Sequence, residues 1–348
     1  MLRLPKFQYL TPQNINDACK ILADQGPAAM IVAGGTDIYP KMKRRQFLPK
    51  TLIGLRKIDD LDRISGSAKS GLTLGASATL TEVSSHSVVQ ESYAGLAKAA
   101  GAVSTPILRN MGTIGGNLCL DTRCNYYDQT HHWRQAIGWC MKAPSGKGWP
   151  VLQDSKLNQS GVPCRVAPGS SRCWAVSSTD SAPMLIALGA KLKLIGSKGE
   201  RVISVKDLYN DDGMFYLSKA HDEILTEIQL PPSDGIKSTY WKLRRRESFD
   251  FPVLGVAVAL KQAKDGTVEH AKVVLGGIGS CPFEMAEAQN ILTGKRLTEN
   301  QIEAASQSVF NPARPLDNTD FHLFYRKRMA PVYLKRALTE LATMGSNV

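Results

Sequence analysis

Five of the seven cysteines in this chain fall between Cys119 and Cys173, directly after a glycine turn, Gly112-Thr113-Ile114-Gly115-Gly116-Asn117. Clustered thiolates hold soft metals or iron–sulfur clusters, and turns stripped of side chains bring backbone N–H groups close to a diphosphate. The adjacency predicts two redox cofactors held side by side. A similar turn, Gly34-Gly35-Thr36-Asp37, lies earlier in the chain. Glycine lets the backbone approach a ligand closely, and a row of free N–H groups stabilises phosphate oxygens. Thr36, Thr113 and Asn117 add side-chain donors. Each turn alone reads as a structural tight turn, whereas the pair favours a diphosphate ligand. Neither fits the Gly-x-Gly-x-x-Gly or Walker pattern, which disfavours a Rossmann or P-loop fold.

The cysteine segment supplies Cys119, Cys124, Cys140, Cys164 and Cys173. It contains no Cys-x-x-Cys pair and no tandem ferredoxin spacing, and four thiolates suit Zn²⁺ as well as a [4Fe–4S] cluster. The donor chemistry alone leaves both open. His131 and His132 are further candidate ligands, although loop histidines are ordinarily solvated. From Leu118 to Cys173 basic residues outnumber acidic ones by seven to three, a local excess of +4. Such a field raises a cluster's reduction potential and steers an acidic donor. Asp180 precedes an apolar run, where a helix cap is its default role; the other role is accepting a hydrogen bond from a ribityl hydroxyl. Lys242 reads as an exposed strand residue or as a cation beside a flavin. No Ser–His–Asp or Cys–His arrangement points to hydrolysis.

Elements must position these groups. A helix opening at Thr11-Pro12 carries Ile15, Ala18, Cys19 and Leu22 at helical spacing, which makes Cys19 core. Strands are expected at Met30–Ala33, Thr51–Leu55 and Leu72–Ala76, and a helix over Val88–Ala100. Periodicity then disappears through the cysteine segment, which is too long for an ordinary connection. It returns as an apolar run at Ala182–Ala190 and strands at Lys191–Ile195 and Ile224–Leu230. Leu230-Pro231-Pro232-Ser233-Asp234-Gly235 is the best domain boundary. Beyond it come strands at Thr239–Arg244, Gly255–Gln262 and Ala271–Gly276, then helices near Met285–Thr293 and Phe321–Thr343.

A chain of 348 residues with 43% apolar and 21% charged content builds a sizeable core. The net charge of +12 invites a nucleic-acid reading, but no nucleic-acid signature accompanies it and the basic runs at Lys41–Arg45 and Arg244–Arg246 are short. An anionic cofactor, an acyl-CoA-type substrate or an acidic electron carrier is the better match. No run approaches the ~20 apolar residues of a membrane span. The N-terminus lacks a signal-peptide core, so no membrane partner and a cytoplasmic location with reduced thiols are expected.

Taken in order, Ala33-Gly34-Gly35-Thr36-Asp37, Thr113-Ile114-Gly115-Gly116-Asn117, Asp180-Ser181-Ala182-Pro183 and the Tyr240–Arg246 strand resemble the FAD-binding medium subunit of the xanthine dehydrogenase (molybdenum hydroxylase) family. The resemblance covers nearly the whole chain. It implies an α+β fold: a PCMH-type FAD-binding domain over 1–230, interrupted by a cysteine-rich insertion at 118–173, and a flavoprotein C-terminal domain over 236–348. It implies FAD held by Ala33, Gly34, Gly35, Thr36, Asp37, Thr113, Ile114, Gly115, Gly116 and Asn117, with Asp180 and Lys242 as further contacts. The implied partners are a molybdopterin-containing large subunit and a [2Fe–2S] small subunit, in a dimer of heterotrimers.

Most medium subunits have a short connection after the Gly-Gly-Asn turn. The long insertion here looks like that of the 4-hydroxybenzoyl-CoA reductase beta subunits, which carries a [4Fe–4S] cluster. That match implies Cys124, Cys140, Cys164 and Cys173 as ligands and leaves Cys119 to pack near FAD. The stretch Ala143–Val162 is longer than in that group. The implied role is to pass electrons from a ferredoxin-type donor through the cluster and FAD to [2Fe–2S] and molybdenum, for reductive dehydroxylation of an aromatic acyl-CoA. The rivals are an ordinary medium subunit passing electrons outward to NAD or a carrier, and a zinc-stapled, FAD-free binding protein.

Overall fold

The computed structural model describes residues 2–145 and 161–343, which form helices and three sheets. The first sheet is parallel, with β1 (Gln8–Leu10), β2 (Ala29–Val32) and β3 (Thr51–Gly54) in the order β1-β3-β2. Parallel neighbours need a crossover, and the helix Ile15–Gln25 supplies one. Its apolar stripe, Ala18, Cys19 and Leu22, packs on Ala29 and Ile53. The helix starts later than the Thr11-Pro12 pair suggests. Asn14, in extended conformation, accepts a hydrogen bond from the Asp17 N–H at 2.9 Å and caps the first turn.

The second sheet is antiparallel, with β4 (Ile64–Ser67), β5 (Gly71–Gly75), β6 (Lys191–Gly196), β7 (Gly199–Ser204) and β8 (Ile224–Leu230) in the order β4-β5-β8-β6-β7. Between β5 and β6 in sequence lie several helices, the second glycine turn and the cysteine segment. That segment is therefore an excursion whose flanking strands return to one sheet on either side of β8. The expected helix over Val88–Ala100 is two, Ser87–Ser92 and Ala94–Gly101. Tyr93 leaves helical geometry between them, and its hydroxyl donates to Pro231 O at 2.7 Å. A long-range anchor overrides local propensity there.

The third sheet contains β9 (Lys237–Leu243), β10 (Leu254–Gln262), β11 (Val268–Gly276) and β12 (Phe283–Glu284), all antiparallel in the order β12-β11-β10-β9. Both faces of β10 are covered. Val256, Val258 and Leu260 pack with Ala330, Leu334 and Leu338 of the helix Leu323–Thr343. The opposite face presents small Ala257 and Ala259 to a core shared with Leu96 and Met184. Close approach matters here: a Cβ on Gly95 would lie 2.5 Å from Met184 Sδ.

The cysteine segment has little regular structure of its own. Its described residues contain one short helix, His131–Ala136, and isolated bridges joining Arg123 to Val176 and Cys140 to Ala143. Most of the long Cys140–Cys164 connection lies outside the described residues. Among the described residues no helix is long and apolar enough to cross a membrane.

Candidate functional site

The two glycine turns are far apart in sequence but packed against each other. A Cβ on Gly34 would lie 1.9 Å from Met111 O, the carbonyl entering the second turn. Gly35 has φ +74, and a Cβ there would meet the Tyr39 ring at 2.5 Å. In the second turn, Gly115 sits on Ala76, with 2.7 Å for the corresponding Cβ. Glycine at these positions is thus required by the meeting of two backbones and by one left-handed conformation.

Together the turns line a cavity of about 370 Å³, within the ~300–1,000 Å³ usual for small-molecule sites. Its wall includes Ala33, Gly34, Gly35, Thr36, Asp37, Thr113, Gly115, Gly116, Asn117 and Asp180. Cys119 also lines it. Ile114 does not: its side chain is fully buried in the core. Thr113 is a helix cap, its hydroxyl accepting from the Gly116 N–H at 3.0 Å. Asn117 Oδ1 accepts from the hydroxyls of Thr179 and Ser181 at 2.7 and 2.5 Å and from the Ser181 N–H at 3.2 Å. With its carbonyl so occupied, the Asn117 amide is the group left to face a ligand.

Asp180 does not cap the helix Ser181–Ala187 through its side chain, and Lys242 is not exposed. They form a buried ion pair at 3.0 Å, each side chain 3% exposed. Tyr240 donates to the other Asp180 oxygen at 2.9 Å, and Lys242 also donates to Ala102 O at 2.9 Å. Burial pushes the Asp180 carboxyl above its ordinary value, with Lys242 pulling the other way. Asp180 lines the cavity; Lys242 stands behind it, outside the wall, and ties β9 to the cavity.

Sequence reasoning missed several wall residues. Phe215 and Tyr216 come from a turn after Gly213, and Phe249 and Phe251 from the connection between β9 and β10. Phe249 holds φ +75, unusual for a bulky residue, and its N–H donates to Ser104 O at 3.1 Å. The signal was available as aromatic residues in turns, Met214-Phe215-Tyr216 and Ser248-Phe249-Asp250-Phe251.

A second, much smaller cavity is lined by Cys124, Cys140, Cys164 and Cys173, with Tyr127 and Lys142. All four cysteines are buried and free. Burial pushes the Cys124 thiol up to about 12 and raises Cys140 and Cys173 as well. Backbone N–H groups point at the sulfurs: Tyr126 at Cys124, Lys142 and Ala143 at Cys140, and Ala175 at Cys173. Such N–H···S bonds favour a thiolate once a cation replaces the proton. Among the described residues no group of His, Cys, Asp or Glu side chains is disposed to hold a single metal ion. His131 stacks edge-on against Trp139 and His132, and neither histidine lines the cysteine cavity.

Residues 5–233 match the family described as the FAD binding domain in molybdopterin dehydrogenase, and residues 238–341 match the CO dehydrogenase flavoprotein C-terminal domain. The chain is 28% identical over 319 residues to the aldehyde oxidoreductase FAD-binding subunit PaoB of Escherichia coli, covering 90% of this chain and 93% of that one. It is 24% identical to the carbon monoxide dehydrogenase medium chain of Hydrogenophaga pseudoflava, covering 96% of each. Its fold matches the solved carbon monoxide dehydrogenase of Oligotropha carboxidovorans with a TM-score of 0.76, at 24% identity, over 98% of this chain and 99% of that one.

Proposed function

The chain belongs to the molybdenum hydroxylase family as a FAD-binding medium subunit, and from that premise we propose that it also carries a [4Fe–4S] cluster and serves a reductase of the 4-hydroxybenzoyl-CoA type. The observation that carries this reading is the set of four buried cysteines around one cavity, with backbone N–H groups directed at three of the sulfurs. Zinc needs four sulfurs converging within about 2.3 Å of a single ion, whereas a cubane spreads its ligands over separate irons. The four thiols alone suit either group; what favours the cubane is the likeness of the long insertion after the Gly-Gly-Asn turn to that of the 4-hydroxybenzoyl-CoA reductase beta subunits.

In this assignment residues 1–230 form the FAD-binding domain and 236–348 the flavoprotein C-terminal domain. FAD occupies the larger cavity, on the Ala33–Asp37 turn and the Thr113–Asn117 turn, with Asp180 in the wall and Lys242 behind it. Cys124, Cys140, Cys164 and Cys173 hold the cluster. When bound, FAD exchanges electrons singly or in pairs and the cluster exchanges them singly; the organic chemistry occurs on a partner subunit. This chain's residues do placement. The glycine turns pack tightly enough to bring their backbones together at the cavity wall, Asn117 offers its amide, and Tyr216, Phe249 and Phe251 supply flat apolar walls. Partners in this reading are a molybdopterin-containing large subunit, a [2Fe–2S] small subunit and a cytoplasmic ferredoxin-type donor.

The test is iron, sulfide, zinc and FAD content of anaerobically purified protein. About four iron and four sulfide per FAD support the reading. FAD without iron returns the chain to an ordinary medium subunit passing electrons outward. Single replacement of Cys124, Cys140, Cys164 or Cys173 by alanine should abolish the iron, while Cys119→Ala should keep it.

A further inference from the structure

Between the two cavities runs a chain of six charges. Asp37, in the first glycine turn, pairs with Arg123. Arg123 reaches Asp128 at 3.4 Å, Asp128 pairs with Lys41 at 3.0 Å, and Lys41 pairs with Asp121 at 2.7 Å. Lys142 holds the other Asp121 oxygen at 2.6 Å. Three carboxylates face three cations, so the set is neutral. The Lys41 side chain is 0% exposed, Lys142 3% and Asp121 4%.

The two ends of this chain are planted in different sites. Asp37 lines the larger cavity, as does Asp121 near the other end, and Lys142 lines the cysteine cavity. Asp128 accepts from the Cys124 N–H at 3.1 Å. The Tyr127 ring contacts both ammonium groups, its centroid 4.5 Å from Lys41 Nζ and 4.9 Å from Lys142 Nζ. Among the described residues, apolar packing around the cysteines is a small cluster of Tyr127, Ala143, Ala175 and Met214, with Tyr126, Met141 and Val166 packed on it. Buried charges tolerate the loss of a partner badly, because the one left behind is desolvated and unpaired. A set of this kind behaves as one unit, and it links a ligand-binding turn to the cysteine segment, which hydrogen bonds such as Asn125 N–H to Asn318 O and Arg134 to Arg44 O tie to the chain elsewhere.

We propose that Asp37, Arg123 and Lys41 are positioning residues that couple the two sites, so that filling the larger cavity orders the cysteine segment and an ordered segment retains the flavin. FAD contacting the first turn fixes Asp37, Asp37 fixes Arg123, and Arg123 sets the backbone entering Cys124. Linkage makes the effect reciprocal. The coupling to flavin rests on FAD binding; only its consequence for iron rests on the [4Fe–4S] reading.

The test is hydrogen exchange of backbone amides over 119–145 and 161–176 in the full chain, with FAD bound and after its removal. In the native sequence, removing FAD should speed exchange there at least tenfold. In Arg123→Gln, which breaks the set without altering a residue of the cavity wall, exchange should be fast in both states. Lys41→Arg, which keeps the charge, should restore the FAD dependence that Lys41→Met abolishes. Exchange indifferent to FAD in the native sequence overturns the proposal, as does a full FAD response in Arg123→Gln. Should Lys41→Met fail to fold, the Arg123→Gln comparison decides alone. Iron content of the native protein separately tests the cluster: no iron together with FAD-dependent exchange refutes the cluster and keeps the coupling.

Discussion

The two cavities share one ion-pair chain, with Asp37 and Asp121 in the wall of the larger and Lys142 in that of the smaller, and are built on opposite plans. The larger is walled by backbone and carbon: two glycine turns pressed together, an apolar core behind them and aromatic rings at the mouth. The smaller sits in a segment whose described residues hold one short helix, with thiols, cations and carboxylates close together. The first plan is vulnerable at a few glycines, where any side chain would overlap backbone or a ring. The second concentrates its vulnerability in charge pairing, because burying an ion is offset only while its partner is present.

The comparison is sharpest at Lys41, whose ammonium serves both Asp121 and Asp128. Lys41→Met should lower stability by about 3–5 kcal/mol, read as a shift in the denaturant midpoint, with Lys41→Arg recovering most of it. A loss under about 1 kcal/mol, the value of an exposed pair, would place the two regions on one footing. Next comes Gly34→Ala. Its Cβ would overlap Met111 O at 1.9 Å, so the turns must part. We expect a loss of about 1–3 kcal/mol, the usual penalty of overpacking, together with weakened FAD retention in a fluorescence titration.

Acid should act on the charged region first. Burial alone would raise the Asp121 carboxyl, but Lys142 and Lys41 outweigh it and hold the group below its ordinary value. A depressed carboxylate contributes stability above its unfolded pKa, about 3.9, and that contribution is lost as pH falls through the folded value. Native stability measured from pH 6 downward should therefore decline below about pH 4, and decline less steeply in Lys41→Met. The smallest effect belongs to Cys119→Ser. The half-buried Cys119 lines the larger cavity and not the cysteine one. A change under about 1 kcal/mol is expected, with metal content unaltered on elemental analysis.

Much of the scaffold was legible because its signals are local. Alternation and apolar runs mark β8 and β10 to within a residue, and the helical spacing of Ala18, Cys19 and Leu22 identified Cys19 as core, where it is 2% exposed. Boundaries failed where a distant partner decided them. Asn14 captured the first helix start from the Thr11-Pro12 pair, and Tyr93 broke a helix to reach Pro231. The short edge strand β1 escaped notice because three residues carry too little pattern.

By itself, the sequence determined that two side-chain-free turns and a run of thiols exist, since residue type alone decides which backbone can approach a ligand and which atoms can bind soft metal. Only the tertiary structure decided that Gly34 meets Met111, that Asp180 pairs with Lys242 across 62 residues, and that Asp37 reaches Arg123 across 86. Those partners are chosen by the path of the chain between them. A lone Lys or Asp looks the same in sequence whether water or a buried opposite charge will satisfy it, so desolvation is written in no local pattern and appears only once the fold has closed.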